Sequence, residues 1–227
     1  MPKRLQRNRL IVCEGQSDCA FFSHLIEARG LPDFDVFHPG SHGAVDVGGR
    51  AAFGEFLTGI SATPGFDRLR GILVVSDNDI DPGKSFNEVC AHIRNAGLAV
   101  PAEPLKPAFP AHGPAVIIMM LPATGVEGNL EALCLPAAYD RNPGISECLE
   151  QYCICTQTNE WETGKASKMR LRALFSVAFR TDPNTSLVHA WNRTEDVIPL
   201  AHASFDNIAN FLRDFDTTIT PVLAAAP

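Results

Sequence analysis

The stretch Gly71-Ile72-Leu73-Val74-Val75-Ser76-Asp77-Asn78-Asp79 decides the fold. Up to Ser76 it is a β-branched and aliphatic run with no polar residue on either face. A strand of that kind belongs inside a parallel sheet covered on both sides. It breaks into Asp77-Asn78-Asp79-Ile80-Asp81. Asp81 before Pro82 reads as the cap of a helix, with Phe86, Val89, Cys90 and Ile93 facing inward and Gly97 as its stop.

Similar units lie on either side of this strand. Upstream, Leu10-Ile11-Val12-Cys13 is a short buried strand that leads into Glu14-Gly15. Ser17 can cap a helix to Arg29 that carries Phe21, Phe22, Leu25, Ile26 and Ala28 at helical spacing. Phe34–Phe37 is a weaker strand, and Ala51–Ile60 reads as a helix with Phe53, Phe56, Leu57 and Ile60 on one face. Downstream, a Pro-rich loop over 101–114 precedes a further buried strand, Ala115–Leu121, and a helix predicted over Glu127–Leu135. Strands alternating with helices predict an α/β Rossmann-like parallel sheet flanked by helices. Beyond Pro136 the pattern changes to helices alone, at 145–152, 167–179 and 205–215. The chain therefore divides into a core over 9–135 and a helical C-terminal extension over 136–227, with TPVLAAAP as a loose tail.

Length and composition set the outer limits. The 227 residues are 45% hydrophobic and 20% charged, which excludes disordered, collagenous and coiled-coil chains. A chain of this size buries roughly 70% of its unfolded surface, so it folds without needing a disulfide or a metal. The net charge of −7 makes it a poor general polyanion binder. Contact with nucleic acid then requires a local basic patch or bound divalent cations. No apolar run reaches the ~20 residues of a membrane helix, and Glu14 interrupts the N-terminal apolar stretch too early for a secretory signal. These features predict a cytoplasmic protein with no membrane partner. The seven cysteines form no CxxC pair, which leaves little support for a zinc site built with His38 or His42.

The carboxylates carry the chemistry. In open α/β sheets, ligands gather at the carboxyl ends of the strands. The first strand ends in Glu14, with Asp18 one helical turn later; the third ends in Asp77 and Asp79; the fourth leads to Glu127 and Glu131, placed four apart on one predicted helix face. Neighbouring parallel strands would bring these acids into one cleft. Carboxylate oxygens at such a place suit Mg²⁺ or Mn²⁺. A single acid at a strand end commonly serves as a turn former or cap, and Asp81 fits that role; the combination is sharper than any one part. Asp77–Glu88 also approximates an EF-hand loop, but Pro82 stands where glycine is required and a strand precedes it where a helix is needed.

The order of these motifs resembles the Toprim family, and within it the small stand-alone OLD-nuclease-like branch. IVCEGQSDCAFF at 11–22, DVGGR at 46–50, GILVVSDNDID at 71–81 and GNLEALCL at 128–135 carry the likeness. The resemblance implies a Toprim-like core with Glu14, Asp77 and Asp79 as metal ligands. Asp18 and Glu131 would serve a second ion. It also implies a lysine beyond the core, for which SKMRLR offers Lys168. Residues 164–181 contain Lys165, Lys168, Arg170, Arg172 and Arg180 and no acid until Asp182. This stretch and the N-terminal Lys3, Arg4, Arg7 and Arg9 are where an acidic chain could hold a phosphate backbone, with Lys165, Arg170 and Arg172 as contacts. The function so implied is a metal-dependent nuclease acting on DNA. In it, Glu14, Asp77, Asp79 and Lys168 are catalytic, and Glu14 assists proton transfer from the attacking water. The alternatives are a non-catalytic Toprim-like subunit that partners an ABC- or AAA-type ATPase, and a nuclease directed at RNA.

Overall fold

The computed structural model of the chain describes residues 4–42 and 49–220. Lys3, the Asp46-Val47-Gly48 part of the DVGGR segment, the side chain of His42, and all of TPVLAAAP except Thr220 lie outside the described residues.

Four strands form one parallel sheet: β1 (Arg9–Val12), β2 (Asp35–Phe37), β3 (Gly71–Asp77) and β4 (Ala115–Leu121), in the order β2-β1-β3-β4. Each predicted strand is present within a residue or two of its expected ends. β3 is buried along its length except at Asp77, and β4 is buried throughout, as strands covered on both faces must be. Because side chains alternate along a strand, Ile11, Leu73, Val75, Ile117 and Met119 enter one core, while Leu10, Val12, Ile72, Val74, Val116 and Ile118 enter the other.

The second of these cores is closed by α2 (Phe53–Ser61) and α3 (Pro82–Asn95), through Phe53, Phe56, Leu57, Ile60, Val89 and Ile93. Asp81 caps α3, its carboxylate accepting the Lys84 N–H at 2.9 Å, and Gly97 follows the helix at φ 72°. The opposite core is larger. It joins α1 (Gln16–Ala28) to the C-terminal helices α4 (Leu130–Arg141), α5 (Pro143–Thr156), α6 (Thr163–Ala178), α7 (Leu187–Ala190), α8 (Asp206–Arg213) and α9 (Phe215–Thr218). Phe21, Phe22, Phe175, Phe179, Phe205 and Phe215 are all buried there, each contributing roughly 1.5–3 kcal/mol by leaving water. Helix α4 runs through Pro136, and the helices that follow share this core with the sheet.

Three local expectations are corrected. Ser17 does not cap α1; Gly15 is its N-cap residue, and Asp18 reaches back to accept the Gly15 N–H at 3.0 Å. Gly15 is extended, at φ −145°, so the chain leaves β1 there without needing glycine's conformational freedom. Helix α4 begins at Leu130, because Gly128 sits at φ 132° and Asn129 caps the helix by accepting the Ala132 N–H at 3.0 Å. Glu127 thus precedes the helix and shares no helix face with Glu131.

Among the described residues, no helix is long and apolar enough to cross a membrane.

Candidate functional site

The site forms at the carboxyl ends of β1 and β3, which are direct neighbours, with Val12 paired to Val74. Glu14 follows β1. Its Oε1 accepts the Asp77 backbone N–H at 3.2 Å, the Arg50 Nε–H at 3.2 Å and the hydroxyl of Ser76. Asp77, the last residue of β3, accepts the Leu130 N–H on Oδ1 at 3.0 Å, which ties the start of α4 to the strand end.

The backbone beyond β3 explains how α4 arrives there. Asp79 and Gly128 exchange two main-chain hydrogen bonds, at 2.9 and 2.8 Å. Asn78 donates from its amide to the carbonyls of Ala123 and Val126 at 2.7 and 2.6 Å. These contacts fix the turn after β4 against the end of β3 and deliver Glu131, in the first turn of α4, to the cleft. Helix α6 is held to α4 by Asn129, whose amide donates to the Gly164 carbonyl at 3.1 Å, and by Glu127, which accepts the Thr163 N–H at 3.3 Å. Glu127 therefore serves the amino end of α6. Lys168 lies one turn further along that helix.

Electrostatics show which acids share the cleft. Burial pushes the Asp18 carboxyl up to about 7, and the charges of Glu14 and then Glu131 add to that rise. Burial also holds Asp77 well above the ordinary carboxylate range, reinforced by Asp18, Glu14 and Glu131, while Lys168 acts the other way. Asp18, Asp77, Glu14 and Glu131 thus form one mutually repelling set, drawn from the ends of β1 and β3 and the first turns of α1 and α4, with Lys168 as a cation felt by Asp77.

Asp79 is not part of that set. It sits at φ 52° with its side chain 61% exposed, and its carboxylate accepts from Arg50 at 2.8 Å. Arg50, whose side chain is 12% exposed, is the residue sequence reasoning missed. Besides Glu14 and Asp79, it donates to the Ser76 hydroxyl at 3.0 Å, the Asp77 carbonyl at 2.5 Å, the Ser85 hydroxyl at 3.0 Å and Glu88 at 2.9 Å. Burial would lower its pKa, but Glu14, Glu88 and Asp79 outweigh that and raise it. Gly49, at φ 91°, donates its N–H to the Glu14 carbonyl at 3.2 Å and so brings Arg50 to the end of β1. The Gly-Gly preceding Arg50 was the only trace of this in the sequence. With Asp81 capping α3 and Glu88 on Arg50, the acids of Asp77–Glu88 are dispersed, and no EF-hand loop forms.

The three basic contacts predicted on α6 diverge. Arg172 lines, with Lys168, Glu131, Ser17 and the 183–187 segment, a cleft of about 430 Å³ floored by Leu171 and Phe175. Arg170 turns toward Glu150 at 3.6 Å, and Lys165 lies 4.2 Å from the centre of the Trp161 ring.

Among the described residues, no group of three or more His, Cys, Asp or Glu converges closely enough to hold a metal ion as the side chains stand. In kind, the donors fit Mg²⁺ or Mn²⁺: all are carboxylates, and the desolvation and like-charge crowding of the half-buried Asp18 and Asp77 are of the sort a hard cation would relieve.

Fold and site together define an α/β Rossmann-like protein with a half-buried carboxylate cluster at its strand ends. The chain belongs to the family described as "Protein of unknown function (DUF3226)", whose model matches residues 8–216. No curated protein and no solved structure matches it.

Proposed function

We propose that the chain is a divalent-metal-dependent nuclease of Toprim-like, OLD-like type that hydrolyses DNA phosphodiester bonds in the cytoplasm. The carrying observation is the convergence of the half-buried Asp18 and Asp77 with Glu14 and Glu131, where desolvation and the neighbouring carboxylates raise the proton affinity of Asp18 and Asp77 and Lys168 acts against that rise at Asp77. Carboxylates are kept in so unfavourable a place when a cation is to join them. Glu14, Asp77 and Asp79 would hold one Mg²⁺ or Mn²⁺, with Asp18 and Glu131 toward a second; Asp79 reaches it by exchanging its bond to Arg50. The ion, when bound, supplies positive charge to the attacking and leaving oxygens of the phosphodiester.

The chain's own groups do the rest. Glu14, held on one oxygen by Ser76, Asp77 and Arg50, accepts a proton from the attacking water. Lys168 offsets charge growing on the phosphate. Arg172, on the same wall of the 430 Å³ cleft, holds a neighbouring phosphate. The free thiols fit a reducing compartment.

A second reading is a non-catalytic subunit for an ABC- or AAA-type ATPase. It is favoured by the exposed Tyr152 and Ile154 on α5, Trp161 in the connection to α6, and Val177 on α6, apolar side chains that a docked partner would cover. Incubation of plasmid and single-stranded DNA, and of RNA, with Mg²⁺ or Mn²⁺ separates these readings. The nuclease reading requires wild-type cleavage of DNA that Glu14→Ala abolishes. Equal, background-level cutting by both proteins would overturn it, and preferential cutting of RNA would reassign the substrate.

A further inference from the structure

We infer that Arg50 is a positioning residue that turns Glu14 toward the metal, an assignment that rests on the metal-dependent reading above. Glu14 Oε1 takes three donors from the described residues: the Ser76 hydroxyl, the Asp77 backbone N–H at 3.2 Å and the Arg50 Nε–H at 3.2 Å. Rotating the carboxylate would break all three contacts together. Glu14 Oε2 accepts no hydrogen bond from the described residues, so the fixed oxygen leaves its twin available. Such outer partners orient a ligating carboxylate and commonly govern metal affinity.

The remaining contacts of Arg50 show why an arginine stands here. Its Nη1 bonds Ser85 and Glu88 at 3.0 and 2.9 Å, both on α3. Its Nη2 bonds the Asp77 carbonyl and Asp79 at 2.5 and 2.8 Å, at the end of β3. One planar fork therefore locks the end of β1 to the end of β3 and to the helix that follows it. A lysine offers a single ammonium point and could not span these partners.

Positioning and plain electrostatics predict opposite outcomes. Removing a positive charge from among acids should, by Coulomb attraction alone, tighten the binding of a cation. Removing the group that aims Glu14 should weaken it. The measurement is Mn²⁺ titration of the full chain by electron paramagnetic resonance, in wild type and in the Arg50→Gln, Ser76→Ala and Glu88→Gln variants, with thermal melting in EDTA as a fold check. Arg50→Gln should raise the Mn²⁺ Kd by about 10- to 100-fold. Ser76→Ala should shift it in the same direction, and Glu88→Gln, which leaves the Glu14 contacts intact, should leave it unchanged. Mn²⁺ binding by Arg50→Gln as tight as wild type or tighter overturns the assignment, as does an equal loss in Glu88→Gln. If Arg50→Gln does not fold, Ser76→Ala decides: an unchanged Kd overturns the assignment. A wild-type protein that takes up no Mn²⁺ overturns the metal reading itself, whereas tight wild-type binding unaffected by Arg50→Gln overturns only the role of Arg50.

Discussion

Glu14 and Asp77 are joined directly: Glu14 Oε1 accepts the Asp77 main-chain N–H at 3.2 Å. One residue belongs to the end of β1 and the other to the end of β3, so the bond is a consequence of the parallel β1–β3 pairing. It couples two acids whose charges already oppose one another. Parallel register thus builds the cluster, and any change that frays the strand ends should be felt in it.

Burial makes the metal-free protein pH-sensitive in a defined direction. Asp18 titrates at about 7 in the fold against an ordinary value of 3.8, so the fold favours its protonated form. That contribution to stability is full below about pH 4 and is lost as pH rises through about 7. In EDTA, the wild-type melting temperature should therefore fall relative to Asp18→Asn as pH is raised from about 4 to 8, by an amount equivalent to a few kcal/mol at most. Mg²⁺ should reverse the loss near neutral pH. Parallel melting curves for the two proteins across this range would remove the basis for the prediction.

The basic residues of α6 should separate by role. Lys168→Ala should lower the cleavage rate by about 10²- to 10³-fold, the usual cost of losing one preorganised charge at a reacting phosphate. Arg172→Ala should weaken DNA binding and lower the slope of log affinity against log salt by about one. Arg170→Ala should leave binding as it is, because that side chain is engaged with Glu150. Fluorescence anisotropy over a salt series, alongside single-turnover cleavage, measures all three.

Two helix caps should differ in cost. Asp81→Ala removes one exposed cap bond, to Lys84, and should cost about 1 kcal/mol. Asn129→Ala removes the cap bond to Ala132 and also the part-buried tie to Gly164, so about 2 kcal/mol or more is expected. Urea denaturation monitored by circular dichroism gives both numbers. A smaller loss for Asn129→Ala would mean that α4 and α6 are held together by other contacts.

A glycine at the start of β3 is fixed by packing. A Cβ on Gly71 would lie 2.8 Å from the Phe215 ring and 2.9 Å from Ile219, so Gly71→Ala pushes α9 and the residue after it off the sheet. The expected loss is about 1–3 kcal/mol, as for other overpacked cores. Restoration of stability in Gly71→Ala/Phe215→Leu would show that the clash is the cause.

Much of this molecule was legible in the chain where local chemistry decides the outcome. The aliphatic runs of β3 and β4 announce doubly covered strands, and Asp81-Pro82 announces the start of α3. The strand-end position of Asp77 follows from the β3 run, and that of Glu14 from the shorter apolar run Leu10–Cys13. The rest depends on long-range placement. The Glu127–Leu135 helix failed at its first turn because Gly128 takes a positive φ to pair with Asp79, a partner distant in the chain. Asp79 reads as a ligand beside Asp77, yet it turns to Arg50. Nothing local says where an arginine after two glycines will point. The alternation of Lys165, Lys168, Arg170 and Arg172 looks like one basic face, but Glu150 and Trp161 draw two of the four away from the cleft.

A crystal grown with Mn²⁺ and measured at the manganese absorption edge would locate the ion by its anomalous signal. A peak bounded by Asp77, Glu14 and Asp18 or Glu131, weakened or lost in Asp77→Asn, is the predicted result. A map with no peak at these carboxylates, in crystals of protein that binds Mn²⁺ in solution, would contradict it.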